Sequence, residues 1–160
     1  MSEIRLEAIL HALDTKRDQW FGGPSPAGSL RNVQRALATR RMDGLKHCIW
    51  ELALHIAYWE YAVRRVLVDG PKGGFARKPS NWPSLPNNPS EETWKADRKL
   101  VKEERDALVS AIGAFDAKRL DEPVSSKSKR THIELLIGVV QHSVYHTGQI
   151  ALLKRLASES

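Results

Sequence analysis

A chain of 160 residues that is 41% hydrophobic fits one domain, 1–160, with enough apolar material for a real core. A net charge of +6 permits attraction to anionic ligands without requiring nucleic acid, and one cysteine, Cys48, excludes an intramolecular disulfide and fits a reducing cytoplasm. No uninterrupted apolar run approaches membrane-spanning length, and the opening Met1-Ser-Glu-Ile-Arg-Leu-Glu lacks the apolar region of a secretory signal.

Residues 2–20 read as a first helix, with Ile4, Leu6, Ile9, Leu10 and Leu13 on its apolar side and Trp20 and Phe21 closing it. His11 and Asp14 fall at the border of that side and are expected at the surface. The run Gly22 to Gly28 breaks the helix, and Ser29 caps a short amphipathic stretch, Leu30 to Leu37. Arg31, Arg35, Arg40, Arg41 and Lys46 crowd this region. Without a recognition motif or interleaved aromatic residues, they read as a solvated basic face.

A second helix is expected from about 45 to 68, with Asp43 as its N-cap and Gly70-Pro71 as its stop. Leu45, Cys48, Leu52, His55, Trp59, Ala62 and Val66 share one stripe, so His55 stands where a core leucine would be expected. A polar ring on such a stripe needs a partner. Glu51, one turn earlier, can accept the far N–H of a ligating His55, or equally pair with His47 or an arginine at the surface. Tyr58 follows within a turn and is a further candidate to support the site. Trp50, Tyr58 and Trp59 read mainly as packing. Cys48 reads as a buried small hydrophobe, and His47 lies about 80° from His55 around the helix, off the ligand face.

Residues 69–90 hold five of the eight prolines, together with Phe75 and Trp82. Loops this long are often functional, and this one can span roughly 70 Å at about 3.3 Å per residue. It is expected to border the mouth of a metal cavity or to cover one end of the bundle, with Trp82 or Phe75 pinning it. A third helix follows the Ser90 cap, with a core seam of Trp94, Val101, Leu108 and Phe115 and a solvated face of mixed charge. Residues 117–130 read as a polar basic linker.

A fourth helix runs from Thr131 to about Ala157. Thr131 and Glu134 form a capping box, and Lys154 and Arg155 suit its C-terminal end. His142 and His146 lie four residues apart on one face, a spacing at which two imidazoles grip one ion without distorting the backbone. Gln149, one turn beyond His146, can bond a metal-bound water, Tyr145 is adjacent, and Gly148 would admit a neighbouring helix. With His55, three mid-helix histidines sit on two inward faces. That combination points to one divalent transition metal: Zn, Ni, Fe or Mn.

The stretches "ELALHIAYWE" (51–60) and "QHSVYHTGQIALLKRL" (141–156) resemble the DinB/YfiT-like superfamily of metal-binding proteins. Trp20, "NWPSLP" (81–86) and "SEETWKADRKLV" (90–101) also fit its layout, so the resemblance covers essentially the whole chain. The resemblance implies an all-α four-helix bundle of up-down-down-up topology, with a long loop between helices two and three. It also implies that the family's three metal-binding histidines fall on His55, His142 and His146. Three neutral imidazoles leave an ion its full charge and an open position, the pattern of catalytic sites. The expected function is a metal-dependent enzyme, a hydrolase or a low-molecular-weight-thiol S-transferase. The alternative is a non-catalytic metal-binding stress-response or interaction protein. Expected partners are a small-molecule substrate such as a thiol, and a second copy in a homodimer. Nucleic acid and membranes are not expected.

Overall fold

The computed structural model describes residues 2–13, 19–20, 23–68 and 73–158. Among them the fold is mostly helical, with one two-residue ladder and an isolated antiparallel bridge between Pro123 and Thr131. Helix α1 spans Ser2–Ala12, and strands β1 (Gln19–Trp20) and β2 (Gly23–Pro24) pair antiparallel. The first helix therefore stops short of the expected residue 20. Gly23 and Pro24, which form β2, are both poor helix formers, and Asp14 and Phe21 lie outside the described residues. Only one side of α1 is used: Leu6, Ile9 and Leu13 are buried, whereas Ile4 is exposed.

Two short helices, α2 (Pro26–Ser29) and α3 (Arg35–Thr39), lead into α4 (Ile49–Leu67). The N-cap of α4 is Cys48, five residues beyond Asp43, because the Glu51 carboxylate turns back to accept from the Cys48 N–H at 3.0 Å. Leu45, expected in the core stripe, is left exposed before the helix begins. The basic segment is not simply a solvated face either. Arg41 donates to Glu51 and to the Lys46 carbonyl, and Arg40 donates to the Ala157 carbonyl at the end of the last helix.

Helix α5 (Glu91–Gly113) starts on a reciprocal cap. Ser90 Oγ accepts from Thr93 N at 3.2 Å, and Thr93 Oγ1 accepts from Ser90 N at 2.8 Å. Trp94, Val101 and Leu108 form its buried seam, and Phe115 packs just past its end. Its charged face is less solvated than expected. Asp97 is drawn inside, where it accepts from Trp50 Nε1 and Arg77, and Arg105 is drawn inside to pair with Glu60 of α4. The stretch after α5 is also more ordered than a polar linker. A 3-10 turn at Ala117–Asp121 buries Ala117 and Leu120, and the carbonyls of Arg119 and Glu122 hold the buried ring of His132.

Helix α6 (His132–Ser158) opens on the expected capping box: Thr131 N donates to Glu134 at 2.8 Å, and Glu134 N donates to Thr131 Oγ1 at 3.4 Å. Gly148 is exposed with nothing near the position of a Cβ, so it admits no neighbouring helix. Helix α4 packs mainly on α5 and α6, and nearly its whole circumference is buried, which explains why its apolar residues do not keep to one stripe. Two apolar clusters result. One gathers α4 as far as Ala57 with Trp94, Ile150 and Leu153, and the other gathers Val63 and Leu67 with α1, Leu136 and Val139. His142 and His146 of α6 fall between Val139 of the second cluster and Ile150 of the first, while His55 of α4 lies within the stretch that belongs to the first. No helix of the described residues is long and apolar enough to cross a membrane.

Candidate metal centre

His55 sits in the middle of α4, and His142 and His146 sit one turn apart on α6. His55 and His146 are buried and His142 is half-buried. One ligand atom from each ring lies within 4.8 Å of the others, and the Nε2 atoms of His55 and His142 are 3.0 Å apart. Two nitrogens each about 2.1 Å from a shared ion are at most about 4.2 Å apart, so the His55–His142 pair already fits one coordination sphere and the widest pair needs to close by no more than about 0.6 Å.

The far edges of the rings decide which nitrogens face inward. His55 Nδ1 lies 2.5 Å from the backbone oxygen of Asn81, and His146 Nδ1 lies 2.6 Å from Gln149 Oε1. Both oxygens can only accept, so both rings carry their proton on Nδ1 and turn a bare Nε2 inward. His142 Nδ1 is buried and has no hydrogen-bond partner among the described residues.

Glu51 does not serve His55. Its carboxylate is committed to Cys48 N and Arg41 Nη2, with His47 Nδ1 at 3.7 Å, and the Asn81 carbonyl takes the place on His55 that Glu51 was a candidate to fill. Burial pushes the Glu51 carboxyl up, and the bonds from Arg41 and Cys48 outweigh this to hold it below the usual range. Tyr58 packs against Trp59 and Phe75, away from the three rings. Gln149 does reach the cluster, on His146 itself.

The loop supplies more than sequence reasoning anticipated. Trp82 lies flat on His55, with ring centres 3.7 Å apart and planes 5° from parallel. Its other face lies on His47 at 3.7 Å and 4°, so the indole is held between two imidazoles. Asn81 went unnoticed, because a backbone carbonyl leaves no mark on a sequence; the neighbouring tryptophan in a proline-rich stretch was the only signal. Two clefts flank the cluster. One, of about 320 Å³, has His146, Gln149, Trp82, Tyr145 and Lys46 in its walls, and the other, of about 360 Å³, has His142, Trp59, Gln141, Arg130 and Glu134.

Burial is the main force on the protonation of the rings. It pulls His55 to about 4 against the bond to Asn81, and His142 to about 4 with help from the neighbouring histidines. His146 is lowered for the same reason, with Gln149 opposing. All three are therefore neutral donors at pH 7, as metal binding requires. The sign for stability follows. A folded state that resists protonating His55 and His142 binds fewer protons than the unfolded chain between pH 6.5 and about 4. The urea midpoint of the metal-free protein should hold above pH 7 and fall as the pH is lowered through that window. A flat profile from pH 7 to pH 5 would show that the rings are more solvated than their burial implies.

Three neutral imidazoles converging from α4 and α6 form a donor set that can hold one divalent transition metal. No curated protein and no solved structure matches the chain. The family model for the DinB superfamily matches residues 27–150, a span that contains the histidine of α4, both histidines of α6 and the loop packed over them. With that span accounting for most of the chain and for every residue of the cluster, the protein belongs to the DinB superfamily.

Proposed function

We propose that His55, His142 and His146 bind one divalent transition metal, Zn, Ni, Fe or Mn, and that the protein is a metal-dependent enzyme, a hydrolase or a low-molecular-weight-thiol S-transferase. The observation that carries this reading is a set of three neutral donors with no fourth protein ligand in the cluster among the described residues, flanked by a cleft on either side. Such an ion, when bound, lowers the pKa of a coordinated water or thiol and polarises a substrate oxygen.

The protein's own groups have definite tasks in this scheme. Gln149 and the Asn81 carbonyl keep protons on the outer nitrogens of His146 and His55, so both rings stay oriented as donors. Trp82 covers one face of His55 and keeps water off it. Lys46 in one cleft and Arg130 in the other offer cationic groups to an anionic small molecule. The four long helices then follow an up-down-down-up order within one domain. Exposed Ile137, Val144, Tyr145 and Leu152 along α6 support a homodimer, and the protein acts in the cytoplasm without nucleic acid or membrane.

A non-catalytic metal-binding stress-response or interaction protein is the second reading, and the close aromatic cover of His55 favours it. The two part in one experiment. Metal-loaded protein is incubated with a panel of thiols plus an electrophile, and separately with amide and ester substrates. Turnover that disappears on metal removal and in His142→Ala is expected. Turnover unchanged by both would dispose of the mechanism, and no turnover with any substrate would favour the second reading.

A further inference from the structure

Asn81 sits at the centre of a three-residue turn closed by Trp82 N donating to Ser80 O at 2.8 Å, with φ at +70°. That backbone region is open to glycine and tolerated by asparagine, and it is costly for most other side chains, above all β-branched ones. Strained residues of this kind persist only where the surroundings hold them in place. Here the surroundings are the histidine cluster and its walls. The Asn81 carbonyl accepts from His55 Nδ1 at 2.5 Å, its side-chain Oδ1 accepts from Trp59 Nε1 at 2.9 Å, and the next residue, Trp82, lies flat on the His55 ring. One exposed loop residue thus joins the histidine, the tryptophan one turn after it on α4, and the indole stacked over it.

We propose that Asn81 is a positioning residue of the cluster: its left-handed backbone aims a carbonyl at His55 Nδ1, holds the proton there and keeps the Nε2 lone pair directed at His142 and His146. Among the described residues no other acceptor lies on His55 Nδ1. Glu51, one turn before His55, is occupied by Cys48 and Arg41. The assignment is of a tautomer and can be read without any metal; its consequence for affinity rests on the metal-binding reading above.

Substitution cannot delete a backbone carbonyl, but it can forbid the conformation that aims it. Asn81→Gly keeps positive φ accessible and removes only the bond to Trp59, whereas Asn81→Val disfavours positive φ strongly. Long-range 15N–1H NMR of the metal-free full chain at pH 7.5 should show His55 protonated on Nδ1 in the wild type and in Asn81→Gly. In Asn81→Val the Nε2–H form should appear. If that variant fails to fold, Asn81→Ala, with a milder penalty at positive φ, should show the same change in smaller measure. Zinc titration of the same proteins should then give affinity about 10–100-fold weaker in Asn81→Val than in Asn81→Gly, the usual cost of losing a partner that orients a metal ligand. A wild-type His55 protonated mainly on Nε2 would overturn the assignment, as would an unaltered Nδ1–H signal in a folded Asn81→Val. Unchanged zinc affinity in a variant whose tautomer has switched would overturn the positioning role. A wild type with the Nδ1–H signal that takes up no zinc would support the Asn81 assignment and remove the metal reading instead.

Discussion

Replacing any one of His55, His142 or His146 by alanine is expected to weaken zinc binding by at least about 100-fold, or roughly 2.7 kcal/mol. Two nitrogens hold such an ion poorly against water, and the three ring nitrogens converge within 4.8 Å with no carboxylate or thiolate among the described residues grouped with them to compensate. The fold should survive, because none of the three rings is a member of either apolar cluster and both clusters remain when one is removed. Competition with a chelator of known affinity, at fixed pH and salt, measures the effect. Stoichiometric zinc at wild-type affinity in His55→Ala would rule out this ligand set. His11→Ala, an exposed change on α1, should leave both affinity and stability as they are. His132→Ala is a second control, with a different expected outcome. It should leave zinc affinity intact while lowering stability, because the ring is buried against Phe115 and bonded to two carbonyls.

Arg105→Ala should cost about 3–5 kcal/mol, the usual penalty for leaving a buried charge without its partner. Glu60 of α4 is fully buried, and its Oε1 accepts from Arg105 of α5 and from Ser143 of α6, the latter at 3.2 Å. This node ties three helices together one residue away from His142. Burial pushes the Glu60 carboxyl above its ordinary range, with Arg105 and Ser143 opposing. Without Arg105 the carboxyl would take up a proton more readily. The loss of stability should therefore be smallest at low pH and grow as the pH rises, since a raised folded-state value favours folding only while the group is protonated. The double change Glu60→Leu with Arg105→Leu should restore much of the loss, since apolar replacement of a buried pair is often nearly neutral. Urea unfolding followed by circular dichroism tests both. An Arg105→Ala variant within about 1 kcal/mol of wild type would show that the pair is solvated.

The three histidines were legible because periodicity reports on them directly. His55 falls at an apolar-phased position and is buried, although Leu45 and Trp59 of the same predicted stripe are exposed, and rings at i and i+4 such as His142 and His146 share a face. The caps at Ser90 and Thr131 and the seam of Trp94, Val101 and Leu108 were legible for the same reason. Each depends on residues within one or two helical turns of one another, and local backbone geometry is enough to bring them together.

Other features depend on partners that are distant in the chain. Glu60 and Arg105 look like any surface charges in the sequence, and only the packing of α4 on α5 makes them a buried pair. Glu51 had two chemically reasonable partners one turn away, and the fold of the preceding segment, which carries Arg41 to it, selected the cap over the imidazole. Asn81 lies 26 residues from His55 and contributes a backbone oxygen. Every residue carries that group, so its use leaves no compositional trace. The sequence by itself determined which side chains could ligate. Which groups orient them was decided by the path of one loop across the helix, because hydrogen bonds to a backbone carbonyl are set by position and not by residue type.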